Sequence, residues 1–212
     1  MYKLWIANKN YSSWSLRPWI LLKALNIPFD ENICYFEVGI GKSSHDKFKN
    51  FSPSGLVPCL VDGKQTIWDS LAISEYLYEE HPQVWPTNKS ARAWARCASA
   101  EMHSGFSTLR QTCPMDLTRQ APLEKISREL QADLNRLQQL WQEGFTTFGG
   151  PWLAGAQFTA VDAFFAPVAF RIRSYQLPVS NAAQQWVDRM IALPAMQEWY
   201  RSALEEPLVE HI

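Results

Sequence analysis

The sequence contains no C-x-x-C pair and no cysteine or histidine spacing typical of a metal site. Its four cysteines, Cys34, Cys59, Cys97 and Cys113, are scattered. Each stands among apolar neighbours, so buried free thiols are the simple expectation, and they fit a reducing compartment. A dithiol centre is disfavoured, and no metal is expected. Charge of one sign is missing too, since 20 lysines and arginines against 21 aspartates and glutamates leave a formal net charge of -1. Nucleic acid and anionic membrane are therefore not expected as main partners. No apolar run approaches the length of a membrane span. The opening "MYKLWIANKN" enters a strand-like run without a secretory apolar region, so the expected location is cytoplasmic. Internal repeats and low-complexity tracts are absent.

Apolar side chains are plentiful: 47% of the 212 residues are hydrophobic, ten of them tryptophan. That is enough for a well-filled core, and the tryptophans read as core and interface packing. The length allows one large domain or two modest ones. "KLWIAN" (3–8) reads as a short buried strand, followed by an apolar helical run to about Leu25 and closed by "NIPF". "ENICYFEV" (31–38) is a second strand, and a short helix fits 46–50. "GLVPCLVDGKQTIWDS" has the signature of a hairpin, with Asp62-Gly63 as its turn dipeptide. From Ser70, "LAISEYLYEEH" has helical spacing. Strands alternating with helices predict a parallel core with the final hairpin antiparallel to it. "HPQVWPTNKS" reads as a linker. Beyond it the long segments are helical, at about 89–112, 123–145, 160–176, 181–192 and 194–204. The chain thus changes from mixed α/β to all-α near residue 85.

Several short stretches carry chemistry. In "NKNYSSWSLRPWILLKAL" (8–25) three serines crowd a helix start where one N-cap would serve, which suggests a helix tip that is also a binding surface. Pro18 favours a helix beginning at Ser15, because a start at Trp14 would cost a hydrogen bond. Ser12 and Ser13 would then lie in the loop. In "GLVPCL" a proline within an apolar run reads as an edge strand or a turn. In "WDSLAISEYL", Asp69 and Ser70 cap a helix whose N-terminus also suits a carboxylate. In "FTAVDAFFAPV", Thr159 and Asp162 have capping-box spacing and a structural role. Arg17 fits either a ligand-facing pairing or a structural salt bridge. His45, His81, His103 and His211 show no partner that would make a ligand set or triad.

The order of elements, with these motifs, resembles the cytosolic glutathione transferase family over essentially the whole chain. The opening is most similar to the zeta class, whose members have a serine-serine-cysteine-serine stretch and an arginine at the same helix start. The resemblance implies an α+β fold: a thioredoxin-like N-terminal domain (1–81), a linker (82–88), and an all-α helical C-terminal domain (89–212) contributing the second-substrate site. It implies glutathione as co-substrate, no metal, and a homodimer. Val57 would bridge to the glutathione backbone beside a cis Pro58. Ser70 would hold the γ-glutamyl carboxylate and Asp69 the α-amino group, although the family usually has Glu or Gln where this chain has Asp69. Ser12 falls on the catalytic serine, with Ser13 as its neighbour and alternative, and Trp14 stands where the zeta class has cysteine.

At such a helix tip a hydroxyl donates to the glutathione sulfur and the helix dipole adds positive potential; both favour thiolate over thiol. The implied activity is a glutathione transferase attacking a small electrophile, by conjugation, peroxidase chemistry or zeta-type cis–trans isomerisation. The alternative is a non-catalytic or stress-related binding module on the same fold. Thiol–disulfide exchange through Cys59 is a poor third reading. Ser104, Ser107, Arg110 and Gln111 fall at helical spacings that would face the cleft, where an arginine suits an acidic second substrate.

Overall fold

The computed structural model describes residues 1–37 and 43–207. Val38, the expected end of the second strand, and His211 lie outside the described residues. The chain opens with β1 (Tyr2–Ile6), α1 (Ser13–Ala24), β2 (Phe29–Ile33) and the short α2 (Ser44–Phe48). β3 (Cys59–Asp62), β4 (Gln65–Trp68) and α3 (Ser70–Glu80) follow. The sheet order is β2-β1-β3-β4, with β1 parallel to β2 and antiparallel to β3, and β3 antiparallel to β4. After a 3₁₀ turn at Pro82–Val84 come α4 (Lys89–Ser104), α5 (Ser107–Thr112), α6 (Arg128–Phe148), α7 (Ala160–Tyr175), α8 (Asn181–Ala192) and α9 (Pro194–Leu204). None of these helices is long and apolar enough to cross a membrane.

The order of elements agrees with the sequence reading, but several bounds differ for physical reasons. β2 lies earlier than expected because it pairs in register with β1, Tyr2 opposite Phe29 and Ile6 opposite Ile33. Once β1 turns towards α1, residues 35–37 have no strand to pair with. The expected helix over 89–112 is two helices, broken at Gly105 and at Phe106, whose φ is 52°. The helix expected to start near 123 begins only at Arg128, where the Ser127 hydroxyl accepts the Leu130 N–H at 3.1 Å. Helix α1 starts at Ser13 rather than Ser15, so Pro18 lies inside it and leaves the Trp14 carbonyl without its usual donor.

Helix α7 is buried on nearly every side and packs against α1, α4 and α8, which joins the sheet half to the helical half. Trp19, Trp85, Trp141, Trp186 and Trp199 are among the largest fully buried side chains. At the start of α7, Asp162 accepts the N–H groups of Thr159 (3.1 Å) and Leu153 (2.9 Å) and the Trp186 indole N–H (3.1 Å). Its amide bonds to the Thr159 carbonyl, and the Thr159 hydroxyl makes no close hydrogen bond among the described residues. The expected capping box is present, with the carboxylate half the one made by a close hydrogen bond. Gly144 fits closely under the loop before α7, where a Cβ would stand 2.4 Å from the Leu153 carbonyl oxygen.

Asp162→Ala leaves three buried donors unpaired, and the expected loss is on the order of 3–5 kcal/mol. Asp162→Asn keeps an acceptor oxygen and is expected to lose less. Urea unfolding at neutral pH checks both, and equal midpoints for wild type and the alanine variant would contradict this role.

Candidate active site

The α1 tip is held from three directions. The Asn8 side chain accepts the Phe36 N–H at 2.8 Å, and the Asn10 side chain accepts the Leu117 N–H at 2.7 Å. Glu206, just past α9, accepts the successive amides of Lys9 (2.8 Å) and Asn10 (3.2 Å). Lys9 itself is buried and ion-pairs with Glu31 at 2.7 Å, over the adjoining rings of Trp19 and Trp199. The loop before α1 is therefore fixed by residues from both halves of the chain.

Ser12 is the N-cap of α1, yet its side chain accepts no capping bond. Its hydroxyl instead donates to Ser15 Oγ at 2.7 Å, and Ser15 Oγ also accepts the Ala7 N–H at 3.2 Å. Ser13 is half-buried, and its hydroxyl has no hydrogen bond among the described residues.

The Val57–Pro58 bond is cis and lies just ahead of β3, so the proline removes no donor from the strand ladder. The main-chain N–H and C=O of Val57 bond to nothing among the described residues. Val57 and Pro58 line a groove of about 240 Å³ with Trp14, Ser54, Leu56, Trp68, Asp69 and Ser70. Four of the expected binding residues, Val57, Pro58, Asp69 and Ser70, are thus brought together. Ser12 and Ser13 are not in the lining; Trp14 forms the α1 side.

Asp69 has φ 75°, and its Oδ1 accepts the amides of Leu71 (2.8 Å) and Ala72 (3.4 Å), capping α3. Its Oδ2 stands 3.2 Å from His103 Nε2. His103, for which the sequence suggested no partner, thus reaches the groove from the end of α4. His81 meets the Tyr2 hydroxyl at 3.2 Å and His45 lies near Asp46. Among the described residues no three or more His, Cys, Asp or Glu side chains cluster as metal ligands.

Behind the groove lies buried positive charge. Arg17 is 2% exposed and makes one long bond, Nη1 to Ser70 Oγ at 3.4 Å, while its Nε has no partner among the described residues. It has no ion-pair partner among the described residues. Its guanidinium lies over the rings of Trp14 (4.1 Å) and Phe164 (4.9 Å). Burial, and then the nearby Arg171 and Arg110, push its pKa down to about 9, against the pull of Asp69. Arg171 on α7 is 4% exposed and gives its Nε–H to the Cys113 carbonyl at 2.8 Å. Burial and Arg110 lower it to about 10. Both remain cations at neutral pH. Of the four expected substrate-side residues, Arg110 reaches this cluster, 5.4 Å over the Trp14 ring. Ser104, Ser107 and Gln111 are exposed; the break at Gly105 and Phe106 takes Ser104 out of helical register with the other three, and on α5 Ser107 and Gln111 face outward. Arg171 escaped the sequence reading; the signal available was a charged residue in the otherwise apolar "AFFAPVAFRI".

A family model described as "Glutathione S-transferase, N-terminal domain" matches residues 11–80, and the corresponding C-terminal domain model matches residues 120–202. The chain belongs to the glutathione S-transferase family. Among its relatives is a protein of Vibrio cholerae named "Probable maleylacetoacetate isomerase", 26% identical over 195 residues, which covers 88% of this chain and 90% of that one. A Caenorhabditis elegans protein of the same name is 28% identical, over 85% of this chain and 81% of the other. Mouse glutathione S-transferase theta-1 is 29% identical, over 71% and 67%. A Burkholderia glutathione transferase homologue solved with bound glutathione shares the fold, with a TM-score of 0.69 at 22% identity over 97% of this chain and 99% of that one.

A buried cation without a partner costs folding free energy, so Arg17→Met is expected to leave the free protein as stable as wild type or more so, by about 1–4 kcal/mol. The folded pKa lies below the unfolded one, so this cost is fully present below about pH 9 and is relieved only as the pH rises beyond that. The gain should therefore be constant across the neutral range. A loss of stability in denaturant titrations would instead mean that Arg17 has a structural counter-charge.

Proposed function

We propose that this family member binds glutathione in the groove beside Val57, ionises its thiol at a hydroxyl of the α1 tip, and directs the thiolate at a small acidic electrophile. The observation that carries this reading is the convergence of a free Val57 main-chain edge and the Asp69–Ser70 helix start in one groove, with the buried Arg17 guanidinium behind Ser70. An extended peptide pairs with the Val57 N–H and C=O as a short β-bridge. Ser70 and the amides of the α3 start receive the γ-glutamyl carboxylate, with the Arg17 charge behind them. Asp69 receives the α-amino group. Residues 1–81 supply this site and residues 89–212 the second-substrate side, joined by 82–88.

The hydroxyl is that of Ser12 or Ser13. Ser12 reaches a sulfur by turning from Ser15, whose own O–H then bonds Ser12; Ser13 is unengaged already. Arg110 and Arg171 favour an electrophile that carries carboxylate, which agrees with the name of the Vibrio and Caenorhabditis relatives. Attack on an activated double bond gives a conjugate. Rotation and loss of glutathione from that adduct give an isomer.

We also assign a homodimer, with the exposed Trp68, the half-buried Ile67 and Leu71, and the shallow surface between β4 and α3 as the contact face. A cytoplasmic location suits a thiol co-substrate. One observation favours the non-catalytic reading instead: the Ser12 hydroxyl is committed to Ser15 and neither serine lines the groove.

Wild type is expected to be retained on immobilised glutathione and to hold it with a thiol pKa about one to two units below the free value near 8.5. The ultraviolet absorbance of the thiolate, titrated with pH, reads this directly. Ser12→Ala or Ser13→Ala, whichever removes the donor, should return the pKa towards the free value. Titrations unchanged in both would favour the binding module, and wild type in the column flow-through would remove the glutathione reading altogether.

A further inference from the structure

Asp69 is held unusually firmly for an exposed carboxylate. Its backbone sits at φ 75°, its Oδ1 is tied to two amides of α3, and its Oδ2 meets an imidazole from the other half of the molecule. That imidazole is held in turn. The His103 ring stands perpendicular to Trp14 at 5.0 Å, and its carbonyl accepts Arg110 Nη1 at 3.3 Å. Its Nδ1 is buried and has no partner among the described residues. A proton on Nδ1 would be a buried donor with no acceptor, so the neutral ring carries its proton on Nε2, towards Asp69.

We propose that His103 is a positioning residue for glutathione recognition, through which the helical half fixes the Asp69 carboxylate to receive the ligand's α-amino group. The proposal rests on the glutathione reading of the groove.

The electrostatics explain why a neutral donor suits this place. An arginine or lysine here would neutralise Asp69 and compete with the incoming ammonium. His103 faces Asp69 from the α3 start, Arg17 from α1 and Arg110 from α5. Burial and the two arginines lower its pKa below the ordinary 6.5, although Asp69 pulls the other way. At neutral pH it therefore orients the carboxylate and leaves its charge in place. On acidification the imidazolium becomes the ammonium's competitor. Trp14, at the position where the zeta pattern has cysteine, is the wall that aims the ring.

The test uses the full chain and two ligands, glutathione and glutaryl-cysteinyl-glycine, which is the same peptide without the α-amino group. Calorimetry at neutral pH should show His103→Ala binding glutathione about tenfold more weakly than wild type, with the glutaryl peptide nearly unaffected. His103→Gln, whose amide N–H reaches the same oxygen, should recover most of the loss. Wild-type affinity for glutathione should fall on acidification through the histidine's titration, and that of His103→Gln should not. Equal losses for both ligands in His103→Ala would mean a merely structural role and overturn the proposal, as would no loss for either. Asp69→Asn marks the ceiling: if it binds glutathione as wild type does, the amino-group assignment falls and this proposal with it. Failure of wild type to bind glutathione at all would sink the groove reading itself, an outcome separable from the others.

Discussion

The structure is organised around positive charge buried at the junction of its two halves. Arg17 enters from α1 and Arg171 from α7, each almost fully out of water and neither paired with a carboxylate among the described residues. Desolvating a guanidinium without compensation is expensive. What partly offsets it here is aromatic: the Trp14 and Phe164 rings under Arg17 present their negative faces to the cation. Such an arrangement persists where function requires it. In this chain the charge lies directly behind Ser70, at the helix start best suited to an anion.

The same junction explains how the α1 tip keeps its shape despite a proline inside the helix. Asn8 and Asn10 in the preceding loop, and Glu206 from beyond α9, tie that loop to Phe36, to Leu117 and to the end of α9. The indole of Trp199 adds a bond to the Lys9 carbonyl at 2.9 Å. The serines are therefore presented by a loop whose position depends on the helical half. The α1 tip and the Arg110–Arg171 cluster thus share one mechanical frame.

Much of this was legible from pattern. Helices α8 and α9 fall where the periodicity put them, because each is a simple amphipathic segment with a serine cap or a leading proline. The β3–β4 hairpin follows from Gly63, whose φ of 57° suits the two-residue turn. The segments that were misread depend on contacts with remote residues. β2 took its register from β1, and the break after α4, marked locally only by Gly105, is completed by Phe106 at a φ of 52°. Pro18 argued locally for a late helix start, but the packing of α1 against α7 carried the helix back to Ser13.

Local pattern was enough for the element order, the helix start at Asp69 and Ser70, and the capping residue Asp162. These are local: they depend on φ/ψ preference, missing donors and short-range hydrogen bonds. It took packing between the halves to bury Arg17 with no ion-pair partner among the described residues, to set Arg171 near it, to turn Ser12 towards Ser15, and to bring His103 to Asp69. Charge compensation and hydrogen-bond choice depend on which groups share a volume from which water is excluded. That volume is formed only when helices far apart in the chain pack together.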